Sequence, residues 1–279
     1  MSDRTPVQNA ELALLLEVTG TPKPGNVDRD REFSDLRFEH FMAGAVGARP
    51  GLERAGAGDR LGRAFERAVA GMADQSAGNT QFGALLVLAP LVAAASDGEL
   101  TPDFVDSVVR GTTVDDAADF YRAFEHVDVA VDDPPDGLEP LDVRRGSDAV
   151  PVLEARGLTL FDVMEQSADV DGVAAEWAGQ FERVFAAAER ILADDGPVSE
   201  RASRAFVELL AEERDTFVVT RNGPEAAEEV QRRAKAVLDG DEDAAELADD
   251  LVERDINPGT TADLVAGALF VALERGLVV

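Results

Sequence analysis

The sequence predicts an all-α protein: a single-domain, multi-helix bundle built around one central buried helix. Three observations predict it. Apolar residues recur at the i, i+3, i+4, i+7 spacing of a helix face along most of the chain. Sustained period-two alternation is missing, apart from short runs at 127–131 and 216–220. One continuous apolar stretch, 83–95, is long enough for a helix and has no polar face.

In chain order, helices are predicted at 11–18 and 37–47, and the next is marked by Leu61, Ala64, Phe65, Ala68, Val69 and Met72 on one face. The 83–95 run follows. A helix apolar on every side belongs in the middle of a bundle, so its first turn should lie inside or open into a pocket. Pro90 removes one backbone N–H from that helix and predicts a kink. Phe120, Tyr121, Phe124 and Val127 mark a shorter helix. Segment 132–150, rich in Asp, Pro and Gly, reads as a loop across the middle of the molecule. A long helix is predicted over 173–192, where Val173, Trp177, Phe181, Val184, Phe185, Ala188, Ile191 and Leu192 share one face, ending near Gly196-Pro197. Further helices are predicted at 200–213, 225–238, 244–254 and 262–274. The apolar faces on either side of 132–150 are alike, so residues 1–279 read as one domain.

Charge sets the solvent and the partners. The chain carries 56 acidic against 26 basic side chains, a formal net charge of −30, and its only lysines are Lys23 and Lys235. Such a surface repels itself in dilute buffer, whereas in molar salt the screening length falls to about 3 Å. Because the carboxylates are spread along the whole chain, this is the composition of a halophilic protein. Nucleic acid is excluded as a partner for want of a basic patch. There is no cysteine, which excludes disulfides, thiolate metal sites and cysteine nucleophiles. No signal peptide or membrane-spanning run is visible, so a cytoplasmic location is expected; a homo-oligomer is left open.

Four segments are able to carry chemistry. Glu17-Val-Thr-Gly-Thr-Pro-Lys23-Pro-Gly25-Asn26-Val-Asp28 ends a helix and holds a rare lysine between two prolines. Either Lys23 serves a phosphate there, or the segment is a helix-stop loop with a surviving surface lysine. Gly78-Asn79-Thr80-Gln81-Phe82-Gly83 leads into the buried helix, with Asn79 or Thr80 as a natural cap and a start suited to anions. Asp215-Thr-Phe-Val-Val-Thr-Arg221-Asn222-Gly223 offers Arg221 either to a phosphate or to an Asp–Arg pair closing a loop. In Asn257-Pro258-Gly259-Thr260-Thr261-Ala262-Asp263, Thr260 and Asp263 have capping-box spacing, or else line the same pocket as the first loop. His40 and His126 sit in helical patterns and read as structural.

Taken in order, these segments resemble the triphosphoribosyl-dephospho-CoA synthase family. Residues 21–28 are similar to its Thr-Pro-Lys-Pro-Gly-Leu-Val-Asp, with Glu17 upstream. Asn79-Thr80 with Gly83 resembles its Asn-Thr-His-Lys-Gly, Asp215-Thr216 with Arg221 and Gly223 its Asp-Thr-Asn…Arg-Gly, and 257–264 its Asn-Pro-Gly-Gly-Ser-Ala-Asp-Leu.

The resemblance implies a mostly helical protein that moves a triphosphoribosyl group from ATP to the ribose 2′-hydroxyl of dephospho-CoA, releasing adenine. By the same analogy Asp28 and Asp263 are expected to be catalytic, and Lys23, Asn26, Asn79, Thr80, Arg221 and Asn257 to bind substrate phosphates. Glu17 and Asp28 are the expected ligands of a Mg²⁺ ion, and ATP and a nucleotide-like acceptor the expected partners. Gln81 and Phe82 replace the family's His-Lys, and Phe33-Ser34-Asp35 departs from its pattern. Those departures keep two alternatives in view: an ATP- or phosphoribosyl-dependent step in another cofactor's biosynthesis, such as a pterin-type one-carbon carrier, or a noncatalytic nucleotide-binding helical protein.

Overall fold

Short polar side chains ahead of apolar stripes start several helices of this chain. The computed structural model describes residues 4–134 and 138–279. Among them are fifteen α-helices and no strand. The first half holds α1 (Pro6–Thr19), α2 (Phe38–Gly56), α3 (Leu61–Met72), α4 (Phe82–Ser96), α5 (Pro102–Arg110) and α6 (Val114–Ala123). The second holds α7 (Val150–Arg156), α8 (Leu160–Ser167), α9 (Gly172–Ala178), α10 (Glu182–Ala193) and α11 (Val198–Glu212), then α12 (Thr216–Asn222), α13 (Pro224–Asp239), α14 (Ala244–Glu253) and α15 (Gly259–Glu274). Thr5, Thr101, Thr113 and Thr159 accept from backbone N–H groups at the starts of α1, α5, α6 and α8, and Asp171, Asp215 and Asp243 do so for α9, α12 and α14.

The predicted loop at 132–150 contains two short 3₁₀ turns, Glu139–Leu141 and Val143–Ala149, while residues 135–137 lie outside the described part. The run at 216–220 is helical, in α12, and the run at 127–131 is irregular.

The helix predicted to be central is α4, with Leu85, Val87, Leu88, Leu91 and Val92 wholly buried. It packs on α15, α2 and α3, and α15 is itself buried nearly all round. These two form the axis of one apolar cluster that runs from α1 to the last residues of the chain. Against this axis α2 and α3 cross closely: a Cβ on Gly47 would lie 2.0 Å from the Gly71 carbonyl oxygen.

Helix α4 is continuous across Pro90. The missing proline N–H orphans the Leu86 carbonyl one turn earlier, and the buried Trp177 indole N–H donates to it at 3.1 Å. The long helix over 173–192 is in fact two, α9 and α10, because Gln180 and Phe181 both adopt φ of 59°. Such a conformation costs a side-chain-bearing residue of order 1–3 kcal/mol. Burial of Phe181 and capture of the Val184 N–H by Glu176, at 3.1 Å, hold the turn in place. The hydrophobic spacing survives across the break, so periodicity alone reads straight through it.

Replacing Trp177 by Phe leaves the Leu86 carbonyl buried without a donor, a loss expected to be about 1–3 kcal/mol. In a Pro90→Ala background the restored helix N–H takes over, and the same replacement is expected to cost less. A double-mutant cycle by chemical denaturation checks this; strictly additive effects would count against the latch.

Candidate functional site

The first and last sequence motifs meet. Helix α1 brings up Glu17, which pairs inside the protein with the Lys23 ammonium. Lys23 has no exposed surface, and its Nζ also donates to Asn26 Oδ1 at 3.0 Å. The Asp28 carboxylate, equally buried, folds the loop: it accepts from the Lys23 backbone N–H (3.0 Å), the Thr21 hydroxyl (3.0 Å) and the Asp30 backbone N–H (2.8 Å), with Arg31 alongside at 3.4 Å. Gly25 has φ of +72°, and a Cβ there would sit 2.2 Å from the Ile256 carbonyl oxygen. That close approach lets Asn26 Nδ2 donate to Asn257 Oδ1 at 2.8 Å, joining the loop to the entry of α15.

The second motif and Asp263 meet at the first turn of α4. Asn79 Oδ1 accepts the Phe82 N–H at 3.2 Å from outside the helix, while the N-cap position itself falls to Gln81 and not to Asn79 or Thr80. Asp263 sits beside this turn. A Cβ on Gly83 would lie 2.0 Å from Asp263 Oδ2, and the Ala84 N–H donates to this carboxylate. Asp263 therefore ties down a helix start, but that of α4, where the capping-box spacing had suggested α15. Thr260 accepts from the Phe217 N–H at 3.2 Å and meets the Thr216 hydroxyl at 3.0 Å.

The chain neighbours of Asp263 (Thr260, Thr261 and Leu264), but not Asp263 itself, line a cavity of about 130 Å³ between α9, α12 and α15, and a wider chamber of about 550 Å³ shares Asp169, Glu213, Arg214 and Thr216 with it. Asp171, Arg183, Asp215, Thr216 and Thr260 line the inner part. Asp215 Oδ1 accepts the Val218 N–H at 3.0 Å, while its Oδ2 accepts both the N–H and the hydroxyl of Thr261 at 2.7 Å. One carboxylate thus joins the starts of α12 and α15. Gly172 sits against Thr260 and Thr216, where a side chain would collide.

Burial sets the electrostatics. Desolvation pushes the Asp263 carboxyl well above the ordinary carboxylate range, and the negative charges of Glu17, Asp215 and Asp171 push the same way, against the Ala84 N–H. Desolvation also raises Glu17, opposed by Lys23, and raises Asp171 and Asp215, opposed by their backbone donors. Asp171 has exposed surface yet is surrounded by protein, because it faces the concave cavity.

Glu17, Lys23, Asn26, Asp28 and Asn257 are thus brought together, with Asn79 and Asp263 around the start of α4. The Thr80 hydroxyl is buried without a partner. Arg221 is not brought in: it is about half exposed at the far end of α12, 3.9 Å from Asp255. Asp28 Oδ2 is taken up by Thr21, Lys23 and Arg31 and its Oδ1 accepts from Asp30, while Glu17 pairs with Lys23, so both carboxylates are engaged by protein groups where a Mg²⁺ ion is expected. Among the described residues no group of three or more acidic, His or Cys side chains is placed to hold a metal. Lys23 is likewise turned inward, onto Glu17 and Asn26. Asp171 and Arg183 belong to none of the four motifs. For Asp171 a signal was present, since an Asp-Gly pair ahead of an apolar stripe marks a helix start.

The last segment meets the first through Asn257, the second through Asp263 and the third through Thr261, and the family that this all-helical chain matches is one of transferases. The family model of CitG, ATP:dephospho-CoA triphosphoribosyl transferase, matches residues 3–278, and the chain belongs to that family. Its fold is similar to that of a crystallised Archaeoglobus fulgidus protein provisionally described as a triphosphoribosyl-dephospho-CoA synthase. The TM-score is 0.67 at 23% identity, covering 84% of this chain and 99% of that one. No curated protein matches the sequence.

Two stability tests follow from the buried charges. Lys23→Met strands the Glu17 carboxylate and is expected to cost about 3–5 kcal/mol, most of it recovered in a Lys23→Met/Glu17→Gln double variant; denaturant titration of the three proteins decides. For Asp263, the raised native pKa means that, at pH values between the ordinary carboxylate pKa and its own, the folded chain holds a proton which the unfolded chain has already released. Stability is therefore lost as pH rises out of the ordinary carboxylate range, near 4. Asp263→Asn should melt higher than the wild type at neutral pH, by about 2–4 °C for each kcal/mol recovered. The gap should close on acidification towards that range, and a gap that widened instead would refute the assignment.

Proposed function

We propose that the cavity between α9, α12 and α15 holds the reacting ribose, and that Asp263, whose neighbours Thr260, Thr261 and Leu264 line that cavity, is the proton acceptor of the transfer. The activity of the family is triphosphoribosyl transfer from ATP to dephospho-CoA. In that reaction the C1–N bond to adenine breaks and a bond from the acceptor oxygen to C1 forms. The adenine leaves with the bonding electrons, and the proton given up by the acceptor hydroxyl ends on it. A carboxylate whose proton affinity is lifted well above normal suits both halves of that transfer. Asp171 and Asp215 add negative charge on the cavity side, which favours the cationic character that develops on the sugar.

The observation that carries this reading is the placement of Asp263, held by the first turn of α4 and electrostatically linked to Glu17, Asp215 and Asp171. Asp28 and the Glu17–Lys23 pair are positioning residues that fix the loop against Asn257. No step is assigned to a metal ion, and any Mg²⁺ is taken to arrive with ATP. The replacement of the family's His-Lys does not strip the cleft. Phe82 is buried in a ring cluster with Phe65 and Phe124, at centroid distances of 5.0 and 4.9 Å, and Gln81 is buried too.

We also place the enzyme in a salt-rich cytoplasm. Support comes from its dispersed net charge of −30, the absence of cysteine and the lack, among the described residues, of any helix long and apolar enough to cross a membrane.

In molar KCl with ATP, Mg²⁺ and dephospho-CoA, the protein is expected to release free adenine only when the acceptor is present, as followed by chromatography. Asp263→Asn should lower the rate about 10²–10⁴-fold. Gly83→Ala, which displaces the same carboxylate, should fall in the same direction. Wild-type turnover in a folded Asp263→Asn protein would remove Asp263 from the mechanism.

A further inference from the structure

The reaction needs a cation for the ATP polyphosphate, and neither Lys23 nor Arg221 is placed to supply it. Lys23 is inside the protein and neutralised by Glu17; Arg221 faces solvent beside Asp255. Two arginines do line the cleft, Arg183 in the inner cavity and Arg214 in both chambers. We propose that Arg183, assisted by Arg214, is the polyphosphate-binding cation, and that Glu213 occupies its place until the nucleotide arrives. The assignment rests on the reading of the cleft as the transfer site and names the residues that recognise the donor's phosphates.

Arg183 is built for the role by the irregular turn at Gln180-Phe181, which sends the first turn of α10 back towards α9. There Nε donates to Glu176 Oε1 at 2.6 Å, and Nη2 donates to the Gly172 carbonyl at 2.7 Å. Glu176 is buried and also holds the Val184 N–H, so its carboxylate is a fixed anchor. Two edges of the guanidinium are thereby locked, and the plane is set before any ligand binds. The remaining nitrogen, Nη1, donates to Glu213 Oε2 at 2.7 Å.

Glu213 differs from Glu176 in kind. Its side chain is 62% exposed and it lies in the linker between α11 and α12. It presents an anionic oxygen to a preset guanidinium at the mouth of a cavity, as a phosphate oxygen would, and it is free to swing into solvent. Arg214, the next residue, is half exposed and carries an ion pair to Glu228 at 3.1 Å, so it is able to follow the same ligand. Of the cavity's other carboxylates, Asp171 feels the Arg183 charge without a hydrogen bond to it, and Asp169 lies on the rim shared with the wider chamber. Asp215 is turned onto Val218 and Thr261, and Asp171 Oδ1 onto the Ala174 N–H at 2.7 Å.

Calorimetric titration of the folded protein with inorganic tripolyphosphate, and separately with ATP, tests the assignment without relying on turnover. Arg183→Gln is expected to weaken both at least tenfold, Arg183→Lys to recover part of the loss, and Arg214→Gln to have a smaller effect. Glu213→Gln, a surface change that spares the core, should tighten tripolyphosphate binding several-fold. The proposal is overturned if wild-type protein does not bind tripolyphosphate, if folded Arg183→Gln binds it as the wild type does, or if Glu213→Gln leaves binding unchanged or weaker. Adenine release is measured in parallel. Arg183-dependent tripolyphosphate binding without transfer would sink the reaction assigned above while keeping the site, and transfer with Arg183-independent binding would do the reverse.

Discussion

The cleft depends on one contact, between the Asp263 carboxylate and the glycine-opened first turn of α4. A carboxylate reaches a helix start so closely only where no Cβ stands in its way, and Gly83 supplies that gap. Because α4 and α15 are the two most buried helices, the contact fixes the register of one central rod against the other. Everything that borders the site then takes its place from these rods. The Lys23 loop is tied to the entry of α15 through Asn257, and α12 is joined to the same entry through Asp215.

Such an arrangement concentrates unfavourable electrostatics where the chemistry is. Glu17, Asp171, Asp215 and Asp263 are each pushed towards the protonated form, chiefly by loss of water. A fold selected for stability alone would neutralise or disperse them. Only Glu17 has a cation of its own, and that pair faces inward, fixing a loop. The acid-rich surface is a separate matter: its many arginine–carboxylate contacts are mostly exposed and individually worth about 0–1 kcal/mol.

Much of this was legible in the residues. The central helix announced itself because 83–95 has no polar side, and the Lys23 loop because a scarce lysine stood between prolines. Helices such as α5 and α8 were overlooked because a segment of two turns gives too few apolar positions to establish a period. The break between α9 and α10 was invisible for the opposite reason, since Val173, Trp177, Val184 and Ala188 keep helical spacing across it. Within the site, residue types were visible but not their direction. A chain does not announce that Lys23 turns inward, that Asp28 spends its oxygens on its own loop, or that Asp263 reaches a helix some 180 positions earlier. Arg183 carried no motif, and its place follows only from the turn that precedes it.

The bond from Trp177 to the carbonyl freed by Pro90 has a consequence for observation. Trp177 is the single tryptophan of the protein, wholly buried, and it stands on α9, the helix whose first residues border the inner cavity. Its emission therefore comes from one known place, an apolar environment with one polar contact on the indole. Any loosening of α9 from the central rod would shift that light to longer wavelength, and the molecule carries its own optical gauge of whether the wall of the cleft is seated.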